Sequence, residues 1–388
     1  MKKTLLTICL VWMCFSLSAQ KIIDLSGKWS FSIDRQDNGE KEKWFSHTLN
    51  DFINLPGSMP EKQKGDEVTA KTQWTGSLYD SSYYYNPYME KYRKEGNIKF
   101  PFFLTPDKHY VGAAWYQKEV NIPADWKGER ILLFLERPHI ETTVWVNGQK
   151  TGMQNSLCVP HQYDITHYVR PGKCTITIRV DNRIKEINVG PDSHSITDQT
   201  QGNWNGIVGR ICLQTTPKTY FDDIQIYPEP EQKLARVKVV IKGTGTAKVK
   251  LSAESFNTDK KHIVPAIQQE IKLNKGVTET EMVLPMGNDM LLWDEFHPAL
   301  YKLKAEVTNG KKTEIKEIQF GMRRFEIKGK WFYVNGRKTQ LRGTVENCDF
   351  PLTGYAPMDV ESWERVFRIC RSYGLNHMRF HSFCPPEA

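Results

Sequence analysis

Three stretches of this chain carry side chains whose types and spacing suit the binding of polar ligands. The first is Thr197-Asp198-Gln199-Thr200-Gln201-Gly202-Asn203-Trp204, a carboxylate and several amides that end in an aromatic residue. Carboxylates and amides bond hydroxyl groups, and an indole face stacks on a sugar ring. Trp204 can equally lie buried beneath an ordinary loop, and Asp198 has the same two possibilities. The second stretch holds Arg342, at the end of one short predicted strand, and the third holds Arg379 and His381, at the end of another. A guanidinium fork and an imidazole both bond vicinal hydroxyls. The alternative for either arginine is an internal ion pair. The nearest carboxylates are Glu346, Asp349 and Glu387. No ordered Ser-His-Asp set, P-loop, dinucleotide fingerprint or metal-spaced histidine cluster offers another chemistry, so no metal and no cofactor is expected.

Of eight cysteines, Cys9 and Cys14 belong to an N-terminal apolar segment; the others are Cys158, Cys174, Cys212, Cys348, Cys370 and Cys384. Their spacings match no metal pattern. Most are expected to be buried thiols. Cys158 and Cys174 flank a predicted turn at Pro171-Gly172 and are the first pair to test for a disulfide.

Met1 to Gln20 reads as a secretory leader. Lys2 and Lys3 form a positive start, and Leu5 to Phe15 form an apolar run too short to span a bilayer. Cleavage is expected after Ala19, which predicts an exported and, in a bacterium, periplasmic protein with no membrane span. The chain has 388 residues, 39% hydrophobic and 25% charged, with a net charge of +8. These values exclude a polytopic membrane protein, a collagen and a disordered tail. The basic residues are scattered among acidic ones, which argues against nucleic acid as a partner. Aromatic content is high at 12%, as β-rich cores and sugar-stacking surfaces both are. Nothing in the sequence sets an oligomeric state.

Short alternating runs must position these groups. Gly27 to Ile33, Thr142 to Val146 and Cys174 to Val180 alternate with a period of two, and Asn147-Gly148 is a strong hairpin signal. Residues 20–218 therefore predict a mostly β jelly-roll sandwich. Residues 219–321 carry further short strands, with a hairpin expected around Gly243 to Gly245, and suit an immunoglobulin-like β-sandwich. The texture then changes. A short strand ends at Gln340 to Gly343, an amphipathic helix runs from Val360 to Tyr373 with Asp359 as its cap and Gly374 as its stop, and a strand follows at Asn376 to Phe380. Strand, helix, strand is the start of a parallel βαβ fold.

This order of parts resembles glycoside hydrolase family 2, the β-galactosidases, β-glucuronidases and β-mannosidases. The resemblance rests on Trp115-Tyr116 with Val120-Asn121-Ile122-Pro123, on Val144-Trp145-Val146-Asn147-Gly148, and on Asn203-Trp204-Asn205-Gly206-Ile207-Val208-Gly209-Arg210. It extends through Leu292-Trp293 with Pro298, Leu300 and Tyr301, then Gly321-Met322-Arg323, Asn335-Gly336 and Leu341-Arg342-Gly343. It implies a sugar-binding jelly roll, an immunoglobulin-like domain and a catalytic (β/α)8 barrel, with residues 322–388 as that barrel's truncated start. It implies a β-glycoside or oligosaccharide as substrate and the Asp198 to Trp204 loop reaching toward the site. By resemblance, Arg379 and His381 help hold the terminal sugar. His381 stands one residue closer to its arginine than in the β-galactosidase pattern. Asn347 falls where the first of the β-galactosidase histidines after Arg342-Gly343 would be, and that departure argues against a lactose-type subsite.

The family's retaining mechanism needs two carboxylates about 5–5.5 Å apart, both glutamates on later barrel strands. The segment after Gly321 is far shorter than the ~250 residues of a barrel. The expectation is thus the N-terminal part of an exported exo-β-glycosidase that lacks catalytic residues, with a non-catalytic carbohydrate-binding or scaffold protein as the alternative.

Overall fold

The structure is a computed structural model that describes residues 20–75, 81–99, 102–185, 196–198, 202–381 and 383–388. The expected leader and Gln199, Thr200 and Gln201 lie outside the described residues. The chain forms two compact units, one of residues 21–216 with 325–388 and one containing 217–324.

The first unit is built on a β-sandwich. One sheet has the order Gln149–Asn155, Glu141–Val146, Gly172–Asp181, Ala113–Ile122, Gly27–Asp34, Asp51–Leu55. The facing sheet runs Ile22–Asp24, Gly206–Thr216, Arg130–His139, His161–Asp164. The period-two runs turn their apolar side chains inward. Trp29, Phe31, Tyr116, Ile176, Ile178, Leu133 and Leu213 meet in one core. Asn147 and Gly148 both have positive φ, at 49° and 77°, as a two-residue hairpin of this hand requires. Glu141–Val146 is buried on both faces. Its outward Trp145 is covered by Trp115, Leu49, Trp44 and Phe45. Alternation alone predicts one wet face here; the segment around residues 44–49 removes it.

The second unit is also all β. Tyr220–Glu229, Leu234–Phe256, Leu300–Asn309 and Lys312–Phe320 pair in that order, with Ile263–Pro285 on the long strand Leu234–Phe256. The hairpin expected at Gly243 to Gly245 is instead a bulge inside one 23-residue strand. Gly243 pairs with Gly276 across the ladder, and the register shifts between Gly243 and Gly245. Glycine there bends the strand rather than reversing it. Side chains from both halves, Val237 and Ile241 with Val249 and Leu251, close one core with Tyr301 and Leu303.

Residues 325–388 add a three-stranded sheet (Phe325–Lys328, Trp331–Val334, Arg337–Thr339) and then a parallel βαβ unit. Its strands Gly343–Glu346 and His377–Phe380 pair in parallel, and helix α1 (Val360–Ser372) connects them. Asp359 caps α1 by accepting the Ser362 N–H at 2.8 Å. Trp363 of α1 meets Phe380 edge-on at 5.7 Å, so that strand face is covered by the helix. Val345, in register with Arg379 on the other face, stays 49% exposed. No helix among the described residues is long and apolar enough to cross a membrane.

Candidate functional site

Parallel βαβ sheets place their binding chemistry at the carboxyl ends of the strands. Here those ends are Glu346 and Phe380, and the residues just beyond them are Asn347, Cys348 and His381. His381 donates its backbone N–H to the Glu346 carbonyl at 2.8 Å, which extends the ladder by one step. Arg379 lies on the face turned away from α1 and is exposed. Among the described residues its guanidinium makes no hydrogen bond or ion pair. Asn347 is exposed as well.

Arg342 is placed differently from the expectation. The strand begins at Gly343 rather than ending there, so Arg342 precedes its amino end. Its Nε donates to the Gly374 carbonyl at 2.8 Å and Nη1 to Gln340 O at 3.3 Å, while its backbone N–H donates to Asn376 Oδ1 at 2.8 Å. The guanidinium closes the turn after α1, at the end of the strands opposite the candidate site. Its alternative, a structural role, is the one the geometry supports, although the partners are carbonyls rather than a carboxylate.

Trp204 does reach the strand ends, but as a buried wedge. It is 2% exposed and stacks on His139, with ring centres 4.5 Å apart and planes at 16°. Its other neighbour is Tyr355 at 5.6 Å, in the loop that follows the first parallel strand. Among the described residues its Nε1 has no hydrogen-bond partner. His139 meets Asn203 Oδ1 through Nε2 at 3.1 Å, and Asn203 in turn donates to the Asn182 carbonyl at 2.6 Å. Burial holds the His139 imidazole down to about 3, against the Asn203 bond, so it is neutral. Trp204, His139 and Tyr355 line a narrow cleft together with Cys348 and Phe383, the residues that leave the two parallel strands. The cleft has room for about one water, not for a sugar ring.

Asp198 is 1% exposed. One carboxylate oxygen accepts the Thr75 N–H, and the other stands 3.5 Å from His109 Nε2. It therefore ties two loops of the jelly roll together and does not itself face an open site.

Sequence reasoning missed the residues that dock the βαβ unit on the jelly roll. The Ser58 hydroxyl donates to Thr353 O at 2.5 Å, and the Tyr355 hydroxyl donates to Glu61 Oε2 at 2.9 Å. Arg137 donates to the carbonyls of Cys384 and Pro385 at 2.6 and 3.0 Å. Arg210 pairs with Glu136 and Glu387. The contacts that cross from the jelly roll to the βαβ unit join residues 177 to 295 positions apart, and no local pattern signals such pairs. Glu387 is thereby paired with Arg210, and Glu346 spends one oxygen on the Cys348 N–H at 2.8 Å.

The six cysteines after the N-terminal segment are all free thiols, and Cys158 and Cys174, the first pair to test, lie in different surroundings. Cys174 faces the sandwich core among Val120 and Ile176, and burial pushes its thiol up to about 11. Cys158 lines the cleft beside Trp204 and meets Cys384 instead.

Two family models match this chain: "Glycosyl hydrolases family 2, sugar binding domain" over residues 22–217, and "Glycosyl hydrolases family 2" over residues 219–323. The chain belongs to glycosyl hydrolase family 2. Human β-glucuronidase is 24% identical over 391 residues, which is 92% of this chain and 53% of that protein. A β-galactosidase of Thermoanaerobacter pseudethanolicus is 24% identical over 301 residues, 73% of this chain and 38% of that protein. Among solved structures, a β-glucuronidase from Ruminococcus gnavus in complex with N1-substituted uronic isofagomine superposes with a TM-score of 0.67 at 18% identity. That match covers 95% of this chain and 58% of the other. A β-glucuronidase from an uncultured Clostridium gives 0.64 at 21% identity, over 93% and 55%. The structures share the fold, and the chain spans roughly a third to a half of the length of the first curated relatives it matches.

Proposed function

We propose that this chain is the substrate-side, N-terminal portion of an exported retaining exo-β-glycosidase. Arg379 and His381 would hold hydroxyls of the terminal sugar at the carboxyl ends of the first parallel strands. The observation that carries this reading is the guanidinium of Arg379, which is exposed on the strand face turned away from α1 and has no partner among the described residues. An arginine committed to the scaffold is normally spent, as Arg342 is on Gly374. Asn347 stands beside it as an amide rather than an imidazole. Trp204 and Asp198 act one layer back: they fix the loops that frame the strand ends. The acid/base and nucleophile of the mechanism come from outside residues 1–388, on later strands of the barrel, and no step of bond cleavage is assigned to this chain.

The test uses the protein extended through whatever open frame follows codon 388. Hydrolysis of nitrophenyl β-glycosides is expected from the extended protein and not from residues 1–388 alone. Arg379→Ala in the extended protein is expected to lower kcat/KM by roughly 10–100-fold, the loss of about 1.5–3 kcal/mol for a charge-assisted hydrogen bond, with folding unchanged. An extended protein that binds oligosaccharides but turns none over would favour the binding-only reading. Export adds a second expectation: the periplasmic form begins at Gln20, which intact-mass measurement reads directly.

A further inference from the structure

Three cysteines converge where the βαβ unit meets the jelly roll. Cys158 lies in the loop after Gln149–Asn155, and it lines the Trp204 cleft together with Cys348 and Phe383. Cys384 follows Phe383 directly. Its backbone is fixed on the jelly roll by Arg137, which donates to Cys384 O at 2.6 Å and to Pro385 O at 3.0 Å. Two residues on, the Glu387 carboxylate pairs with Arg210. The last segment is thus held at Cys384 and just beyond it, with the Cys158 and Cys384 side chains as neighbouring free thiols. Cys384 is exposed and Cys158 is half-buried.

We infer that Cys158 and Cys384 form a disulfide that staples the barrel entry to the jelly roll. The two positions have complementary properties. Cys384 is open to solvent, so it can meet an oxidant. Burial pushes the Cys158 thiol up, while the nearby Arg137 guanidinium pulls it the other way. Cys158 is therefore the slower and more protected partner. The oxidant is a disulfide, either a small one such as oxidised glutathione or that of an exported thiol oxidase. The Cys384 thiolate attacks one sulfur of that disulfide, a mixed disulfide forms, and one thiolate of the oxidant leaves. The Cys158 thiolate, its proton lost to solvent, then attacks Cys384 Sγ and expels the second. Two protein thiols become one disulfide while the oxidant disulfide becomes two thiols, so atoms and electrons balance. The closed loop spans most of the chain, the case in which a cross-link removes the most freedom from the unfolded state. Cys348 lines the same cleft but is buried, with its own thiol pushed up by burial, and takes no part.

The experiment treats the 388-residue chain with oxidised glutathione, blocks remaining thiols with iodoacetamide, and maps tryptic peptides by mass spectrometry without reduction. The expected result is a linked peptide pair holding Cys158 and Cys384, a faster-migrating band on a non-reducing gel, and a melting temperature that falls on adding a reductant. Cys348→Ser keeps the cross-link; Cys158→Ser and Cys384→Ser both abolish it and lose the reductant-sensitive shift. Full alkylation of Cys158 and Cys384 in the natively folded chain would overturn the inference. So would a cross-link of Cys158 to Cys174 or to Cys348.

Discussion

Replacing Trp204 first by alanine and then by phenylalanine separates a core wedge from a sugar platform. The indole is 2% exposed, packed between His139 and Tyr355, with Nε1 unbonded among the described residues. Trp204→Ala deletes a buried aromatic, which costs about 3–5 kcal/mol including the cavity. That is a large part of a margin of about 5–15 kcal/mol. In a unit of this size it lowers Tm by roughly 6–20 °C. Trp204→Phe removes roughly two ring carbons, worth about 1.5 kcal/mol at ~0.8 kcal/mol per buried carbon. It also removes a buried unpaired N–H, which returns about 1–3 kcal/mol. The two terms cancel to within about 1.5 kcal/mol. Urea denaturation gives the free energies, and hydrogen exchange at residues 350–358 reports the docked loop. The expected pattern is a destabilised alanine variant with fast exchange at 350–358 and a phenylalanine variant close to the parent. An alanine variant within about 1 kcal/mol of the parent, or a phenylalanine variant as damaged as alanine, would refute the wedge.

Three further outcomes follow from buried polar groups. Asp181 is fully buried and paired with Arg179, Arg183 and Lys185 at 3.0, 2.6 and 2.8 Å. Burial alone would raise its carboxyl, but the Arg183 and Lys185 bonds hold it below the ordinary range. Its contribution is therefore complete above pH ~4 and lost as pH falls below that, and Asp181→Asn should cost about 3–5 kcal/mol at neutral pH with a flatter acid limb in urea titrations. Burial lowers His139 to about 3 and His161 to about 4. The unfolded chain takes up these protons near pH 6.5 and the folded one does not, so stability is full above that pH and falls on acidification toward 4. Two imidazole Cε1 proton signals that do not move between pH 8 and 5 would verify this, and ordinary titration of all ten would contradict it. Tyr355→Phe loses the bond to Glu61 at 2.9 Å and should cost about 1–3 kcal/mol, read as weaker protection of the 350–358 loop with the sandwich core unchanged.

What could be read in the sequence was what depends on near neighbours. The Asn147-Gly148 turn, the inward side chains of Gly27–Asp34, the Asp359 cap and α1 are all set by a few adjacent residues, and each appears where the pattern puts it. At Gly243 the sequence predicts a turn, because glycine spacing is the same for a bulge and a hairpin; only the opposing Gly276 distinguishes them. The site was less legible. Trp204 and Asp198 have the composition of a ligand loop, but their burial is decided by Tyr355, Thr75 and His109, which lie far away in the chain. Arg342 and Arg379 look alike in sequence. The difference between them is the point at which the first strand begins, and a shift of a few residues moves an arginine from one end of the sheet to the other.

That difference bears directly on how the strand pair is used. The helix covers the face of Met378 and Phe380, while Val345 and Arg379 share the opposite face. An apolar and a cationic side chain side by side make a poor solvent surface and a poor dry core. An arginine enclosed without a partner costs several kcal/mol, so a barrel that closes over this face must bring it an acceptor. Protein carboxylates or ligand hydroxyls at the strand ends meet that need, and the second is what the proposed sugar subsite supplies. Arg342, by contrast, has its carbonyl acceptors already and needs nothing from a ligand. The two arginines therefore predict opposite behaviour in the extended protein. Loss of Arg342 should act on stability and leave KM near the parent value, whereas loss of Arg379 should act on kcat/KM and leave the melting temperature in place. A common effect of both on stability alone would mean that the face turned away from α1 is only scaffold.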